Sequence, residues 1–552
     1  MAQVRFKVNV SDKLDYTPLD TIEDNISVVR GNFTTGKPRD MYWRKFQLNR
    51  LYSMVKDHEE AFYEALAKDM GKSRHEALMG DISPLLEECL YFLDANLAKD
   101  QKVKPRSAIN RHDTCIVRKD PLGVVLIIGI CRLYLLVTQR YQDSLVHVTN
   151  SFPPPPLHLH VAGAIAAGNA AIIKLSEIAV HTSAVITELF PKYMDSSCYR
   201  LVNGGVEETT ALLQHRFDHI FYTGGGQVGR IIMTAAAKHL TPVTLELGGK
   251  WYVRNTRTVT CYSPHYIHSP AVITADADMK TVAQRIAFGK FFNTGQSCIA
   301  VDYVLVPRTH VDAFVQAMQQ VVANWFGQNP KGSKDYGRII NTRHFDRIAG
   351  LLERRGSGTI VIGGDMDREE RYIAPTVVKD VSFQDAGLMT EEIFGPILPI
   401  VAYNEIQDAV AMINRHDAPL VVYAFANKKK EQRQIVDNIP SGGVLVNDTM
   451  VHFSEFALPF GGVGPSGMGK YHGARSFQTF THERSMMVKK QRFEFLMRSR
   501  YPPYTPTTYK MLRFALLTSS LKIKRIMYKR ELKAALYIVI LYLFFYLKKR
   551  FY

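Results

Sequence analysis

Cysteine is scarce in this chain. Among 552 residues only six occur, Cys89, Cys115, Cys131, Cys198, Cys261 and Cys298, and they share no repeated spacing. That excludes a disulfide framework and indicates reduced thiols in a cytosol-facing protein. The opening residues, MAQVRFKVNVSDKLDYTPLD, lack the apolar run of a secretory leader. No internal repeat is evident, and His158 and His160 in LHLH stand too isolated to suggest a metal site. Acidic residues run short in one place only. Residues 481–552 hold 17 Lys and Arg against 3 Asp and Glu, so of the net charge of +17 only +3 belongs to the rest. A nearly neutral body argues against a nucleic-acid partner and makes the positive excess a property of the tail.

What is present is apolar substance. A hydrophobic content of 46% over this length predicts a buried core divided among two or three packed units. The tail ends ELKAALYIVILYLFFYLKKRFY, in which 534–547 is a run of 14 uncharged residues followed by Lys548, Lys549 and Arg550. About 20 apolar residues cross a bilayer, so the run is short for a span. The segment before it, TTYKMLRFALLTSSLKIKRIMYKR, mixes apolar and basic residues as an interfacial helix does. These features predict a C-terminal membrane anchor.

Apolar residues at three- and four-residue spacing predict amphipathic helices over 39–70. TCIVRKDPLGVVLIIGI reads as strands around a turn at Pro121-Leu122-Gly123, and VAGAIAAGNAAIIKLSE as a small-residue helix, a turn at Gly168-Asn169 and a buried strand over 170–174. FDHIFYTGGGQVGRIIMTAAAKHL reads as strand, glycine turn and helix, and TPVTLELGG as a further strand. Strands alternating with helices predict an α/β fold on a parallel sheet. Two stretches break the pattern: 130–151, which runs into Pro153 to Pro156, and 251–268, which separates LELGGK from SPAVITADADMK.

Two motifs carry chemistry. Gly224, Gly226 and Gly229 in YTGGGQVGR form G-x-G-x-x-G between a strand and a helix, where a phosphate approaches backbone N–H groups; a tight structural turn explains the same glycines. Glu246 lies 22 residues beyond Gly224, where a ribose-binding carboxylate would be sought. Cys298 follows Asn-Thr-Gly-Gln-Ser, a turn that exposes a thiol and aims its own N–H at a developing oxyanion, although an isolated cysteine is more often a buried core residue.

Taken together, LELGGK, FFNTGQSCIA, EEIFGPILP and LPFGGVGPSGMGKYHG resemble the aldehyde dehydrogenase superfamily, and within it the class 3 branch that includes the fatty aldehyde dehydrogenases. The resemblance covers roughly residues 20–505 apart from the two foreign stretches. It implies a Rossmann-type cofactor domain over 1–245 and an α/β catalytic domain over 246–440. It further implies a return to the cofactor domain with a small oligomerisation arm over 441–490, built with a strand near 113–119, and a basic extension over 491–552 with the anchor near 534–547. The implied reaction is NAD-dependent oxidation of medium- and long-chain (fatty) aldehydes to carboxylic acids, the substrate class being aliphatic or aromatic aldehydes, with NADP as an alternative cofactor, by a homodimer. Cys298 is then the nucleophile, passing through a thiohemiacetal and a thioester, and Glu246 the general base rather than a ribose ligand. Lys174 and Glu177 in KLSE are implied at the adenosine ribose, Gly224 and Gly229 at the pyrophosphate, and Glu392 and Phe394 at the nicotinamide end. The predicted anchor places the enzyme on the cytosolic face of the endoplasmic reticulum, a lipid droplet or the mitochondrial outer membrane.

The chain departs from the family at the oxyanion hole. The expected Trp-Asn-(Phe/Tyr)-Pro is missing; counting back from GAIAAGN sets Ser151 at the Asn position, with Asn150 one residue off. In the second foreign stretch, Trp251-Tyr252-Val253 is encoded by a sequence containing a splice-donor pattern, and an AGY codon for Ser269 completes an acceptor. Excising 251–268 in frame shortens the Glu246–Cys298 separation from 52 to 34 residues, the class 3 spacing. The alternative to an intact enzyme is therefore a membrane-tethered nucleotide-binding relic or a mis-spliced product.

Overall fold

The structure, a computed structural model, describes residues 8–95, 97–105, 110, 113–129, 158–248, 269–356, 358–491, 494–517, 537 and 539–540. The chain divides into two compact units, one of residues 1–97 and 120–482, the other of 98–119 and 483–552.

The first unit contains two mainly parallel sheets. One runs in the order Gly467–Met468, Val243–Gly248, His219–Gly225, Val124–Ile128, Ala170–Lys174, Tyr199–Val202. All five long strands are parallel, and only Gly467–Met468 pairs antiparallel, on the strand that carries Glu246. The central strands, VVLII and AAIIK, are buried throughout, as expected of a parallel sheet covered on both faces. The chain starts in the middle and winds outward both ways, so strand order reverses beside Val124–Ile128. In such sheets that reversal is where ligands bind, at the carboxyl ends of the strands. Register puts Lys174, Ile128, Tyr222 and Leu245 in one row at those ends.

The small-residue helix His158–Ala167 lies where it must pass close to another: a Cβ on Gly163 would fall 2.8 Å from that of Ser476. The turn after it is tied down by Asn169, which accepts the Gly123 N–H at 2.9 Å and donates to the Phe480 carbonyl at 2.8 Å. The amphipathic region resolves into helices Met41–Asp57 and Glu59–Met70.

The other sheet has seven strands in the order Thr359–Ile362, Thr376–Lys379, Ile397–Tyr403, Val304–Pro307, Ala271–Ile273, Val421–Phe425, Gly443–Val446, with only the first antiparallel. Helices Met279–Phe291 and Thr342–Glu353 belong to this half.

The second unit contains a three-stranded sheet in the order Gln101–Val103, Thr114–Pro121, Thr481–Val488. Its two long strands are the middle one, Thr114–Pro121, and one edge, Thr481–Val488; the short Gln101–Val103 forms the other edge. Beyond it runs helix Pro506–Leu517. Among the described residues no helix is long and apolar enough to cross a membrane. The anchor predicted near 534–547 lies outside the described residues except for Tyr537, Val539 and Ile540.

Candidate active site

The loop that presents Cys298 is shaped by backbone conformation first. Helix Met279–Phe291 ends, and Asn293, Thr294 and Gly295 follow at φ 54°, 54° and 72°. The left-handed region is costly for side-chain-bearing residues and persists only where neighbours impose it. At Gly295 nothing larger fits, because a Cβ would meet the Gly395 carbonyl oxygen at 2.3 Å. Gln296 locks the turn: its amide donates to the carbonyls of Asn293 at 3.2 Å and Arg338 at 3.0 Å, and its oxygen accepts the Ile340 N–H at 3.0 Å. Asn293 donates to the Gln296 carbonyl at 2.6 Å. The chain then reverses through Ser297 and leaves Cys298 half-buried against Phe394.

Cys298 lines one cavity together with Glu246, Thr223 and Tyr471. Most of the remaining wall is apolar, including Met79, Phe288, Phe292, Leu420, Val451 and Phe453. One ion pair interrupts it, Lys72 Nζ to Asp81 at 2.6 Å. Burial pushes the Cys298 thiol upward, and the charges of Glu246 and Glu392 add to this; the amide N–H groups of Cys298 and Ile299 act the other way. Glu246 is 4% exposed, and its Oε1 has no hydrogen-bond partner among the described residues. Burial drives its carboxyl well above the ordinary range. Burial thus biases both groups toward their neutral forms.

The residues predicted to meet a dinucleotide lie at or just past the strand ends. Strand His219–Gly225 runs into helix Gly226–Ala237. Gly224, at φ 155°, passes directly over the Tyr222 hydroxyl, where a Cβ would be 2.2 Å away. At Gly229 a Cβ would strike Leu247 at 2.6 Å, so the helix packs close on the next strand. At Gly226 nothing lies within 4 Å of where a Cβ would stand, which leaves the helix N-terminus open to an anion. Lys174 is fully buried and bound to Glu177 at 2.7 Å, so the partly exposed Glu177 is the member of the pair nearer to solvent. This set fits a dinucleotide: an open phosphate cradle at a helix N-terminus, with a carboxylate past the end of a strand two places along the same sheet.

Glu392 and Phe394 lie on the Cys298 side. Phe394 is held at φ 48°. Its segment is clamped by Arg347, which donates to the carbonyls of Glu392 at 3.1 Å and Ile393 at 2.6 Å, and by Asp302, which accepts the Ile393 N–H at 3.0 Å. Lys290 is fully buried nearby, and burial brings its pKa down to about 8. Sequence reading missed Arg347, Asp302 and Lys290. A signal existed for Arg347, which interrupts the buried stripe His344, Ile348, Leu351 of its helix. The structure thus brings Cys298, Glu246, Glu392 and Phe394 together and places Lys174 and Gly224 near strand ends of the six-stranded sheet, Glu177 just past one of them and Gly229 in helix Gly226–Ala237. Ser151 and Asn150 lie outside the described residues. Of the other cysteines, Cys89, Cys115 and Cys198 are free.

Comparison with known proteins agrees with this geometry. The model of the "Aldehyde dehydrogenase family" matches residues 17–129, 152–256 and 267–486. Its gaps fall at 130–151 and 257–266, within the two stretches that read as foreign. Aldehyde dehydrogenase family 3 member A2 of Rattus norvegicus is 42% identical over 90% of this chain and 94% of its own. The dimeric, NADP-preferring aldehyde dehydrogenase of the same organism is 40% identical over 88% and 98%. A substrate-bound Staphylococcus aureus AldH superimposes with a TM-score of 0.79 at 36% identity, covering 89% of this chain and 99% of that one.

Proposed function

The chain belongs to the aldehyde dehydrogenase family, and from that premise we propose that it oxidises medium- and long-chain aliphatic aldehydes to carboxylic acids with NAD or NADP. The observation that carries this is one largely apolar cavity holding both a thiol, Cys298, and a carboxyl, Glu246. Apolar walls take up a hydrocarbon tail, and each buried CH₂ contributes about 0.8 kcal/mol.

Bound in its oxidised form, the nicotinamide accepts a hydride and brings a positive charge. Cys298 resists ionisation by burial, so its reactivity depends on positive charge arriving near it. The Cys298 thiolate bonds to the aldehyde carbon and the carbonyl oxygen becomes an oxyanion, which the Cys298 N–H is expected to stabilise. Loss of hydride from that carbon re-forms the carbonyl as a thioester on Cys298. Glu246 then takes a proton from water, the hydroxide attacks the thioester carbon, and the carbon–sulfur bond breaks to return the thiolate. Glu392 and Phe394, clamped by Arg347 and Asp302, orient the hydride acceptor, and Lys174, Glu177, Gly224 and Gly229 hold the adenosine half.

The breaks in the family match support reading 130–151 and 251–268 as translated intronic sequence, and sequencing the transcript across both tests it. On the expressed chain, kcat/KM measured from hexanal to hexadecanal with each cofactor is expected to rise with length. Equal rates for benzaldehyde and long aldehydes would remove the chain-length reading, and cofactor binding without turnover would leave only a relic.

The tail supports attachment to an anionic cytosolic surface such as the endoplasmic reticulum. Helix Pro506–Leu517 exposes Tyr509, Met511 and Phe514 beside Lys510 and Arg513. Sedimentation with phosphatidylserine vesicles, lost on removing residues 506–552, tests this. A dimer is the proposed assembly, in line with the dimeric relative.

A further inference from the structure

Ser73 caps the short helix Arg74–Ala77, its hydroxyl accepting the Glu76 N–H at 3.3 Å. An acid at this third position ordinarily folds back onto the cap. Glu76 instead reaches across 217 residues of sequence: its Oε1 accepts the N–H of Asn293 at 3.1 Å. Its Oε2 is buried with no partner among the described residues. Asn293 is the first of the three left-handed residues that lead to Cys298, and the last of them, Gly295, is wedged against Gly395. The strained turn is therefore gripped at its far end by Gly395 and Gln296, and at its start by Glu76.

The segment bearing Glu76 also forms part of the cavity wall. A wide helical turn, Leu78–Ile82, follows directly, and Met79, Gly80 and Asp81 line the cavity. A Cβ on Gly80 would fall 2.9 Å from the Phe292 ring, next to the turn itself. Wide turns of this kind concentrate at functional sites.

We propose that the ionised carboxylate of Glu76 is a positioning residue, holding the 293–298 turn so that Cys298 stays in its reactive geometry, and that protonation of Glu76 loosens this hold. A charged acceptor makes a hydrogen bond roughly twice as strong as a neutral one. Burial brings this carboxyl up to about 7, so the change falls within the working range. The charged and titratable groups facing it are Lys72, which favours ionisation, Asp81 and Asp335, which oppose it, and the Tyr336 phenol. The inference rests on Cys298 being the nucleophile and is tested without requiring turnover.

Glu76→Gln keeps the size and an accepting oxygen but holds the side chain permanently neutral; Glu76→Ala removes the acceptor. In the full chain, the rate of iodoacetamide alkylation of Cys298, followed by the mass of its peptide, is compared from pH 6 to 8.5. Wild type and Glu76→Gln are expected to alkylate alike at pH 6, with the wild type about fivefold faster by pH 8.5, and Glu76→Ala slower than both. A wild-type to Gln ratio that stays flat or falls with pH overturns the proposal, whatever the aldehyde assay shows. Because Glu76→Gln is nearly isosteric, the comparison stands even where the alanine variant does not fold. If the ratio rises but neither protein oxidises aldehydes, the positioning role holds and the aldehyde reading fails.

Discussion

Glu246 is buried, has an oxygen with no hydrogen-bond partner among the described residues, and is pushed by burial toward its protonated form. Its assigned work comes after hydride transfer, so removing its basicity should separate the two halves of the reaction. Glu246→Gln is expected to release about one equivalent of reduced cofactor per subunit in a rapid burst, followed by a steady state slower by ~10²–10⁴. Stopped-flow absorbance at the reduced-nicotinamide band reads both phases, and loss of the burst itself would move Glu246 to an earlier step. Glu177 sets a different preference. On the proposed reading, as the more exposed partner of buried Lys174, it presents negative charge where a 2′-phosphate would add more. Replacement by Gln is expected to raise the NADP to NAD ratio of kcat/KM about tenfold.

The nucleophile turn is an element whose conformation no composition argument would reveal. FFNTGQSCIA shows a turn, but two successive non-glycine residues at positive φ are dictated by Gly395, Gln296 and Glu76 from distant parts of the chain. Gly295→Ala should therefore distort the site at least as much as it weakens the fold: about 2 kcal/mol of stability and at least about 100-fold in kcat. Thermal melts beside steady-state kinetics test that balance. Other elements were legible because one local cue sufficed. AAIIK reads as a buried strand and proves to be one, and Gly168-Asn169 turns where small polar residues suggest. Gln101–Val103 carries no such cue; it is a strand only because Thr114–Pro121 lies beside it. Arg347 was invisible for the same reason, since its partners are carbonyls that contribute no side-chain pattern.

Over the whole molecule, motif order revealed the α/β architecture and the paired Cys298 and Glu246, while the charges buried between motifs went unseen. Glu88 is one, wholly buried, with Ser476 donating to it at 2.9 Å and its pKa raised to about 8. Its unfolded value lies near 4.5, so unfolding releases a proton between those limits and stability falls as pH rises through them. The slope from this one group approaches ~1.4 kcal/mol per pH unit. Glu88→Gln should melt higher than the wild type at pH 8, with the difference shrinking towards pH 5. An equal difference at both would assign Glu88 no titration in this range. A last feature governs how the protein can be made. The strand that carries Glu246 is closed at its edge by Gly467–Met468, more than 200 residues later. Until the ribosome has delivered that pair, the growing chain carries a raw sheet edge beside its own reactive carboxyl, a template for wrong partners and a natural target for chaperones.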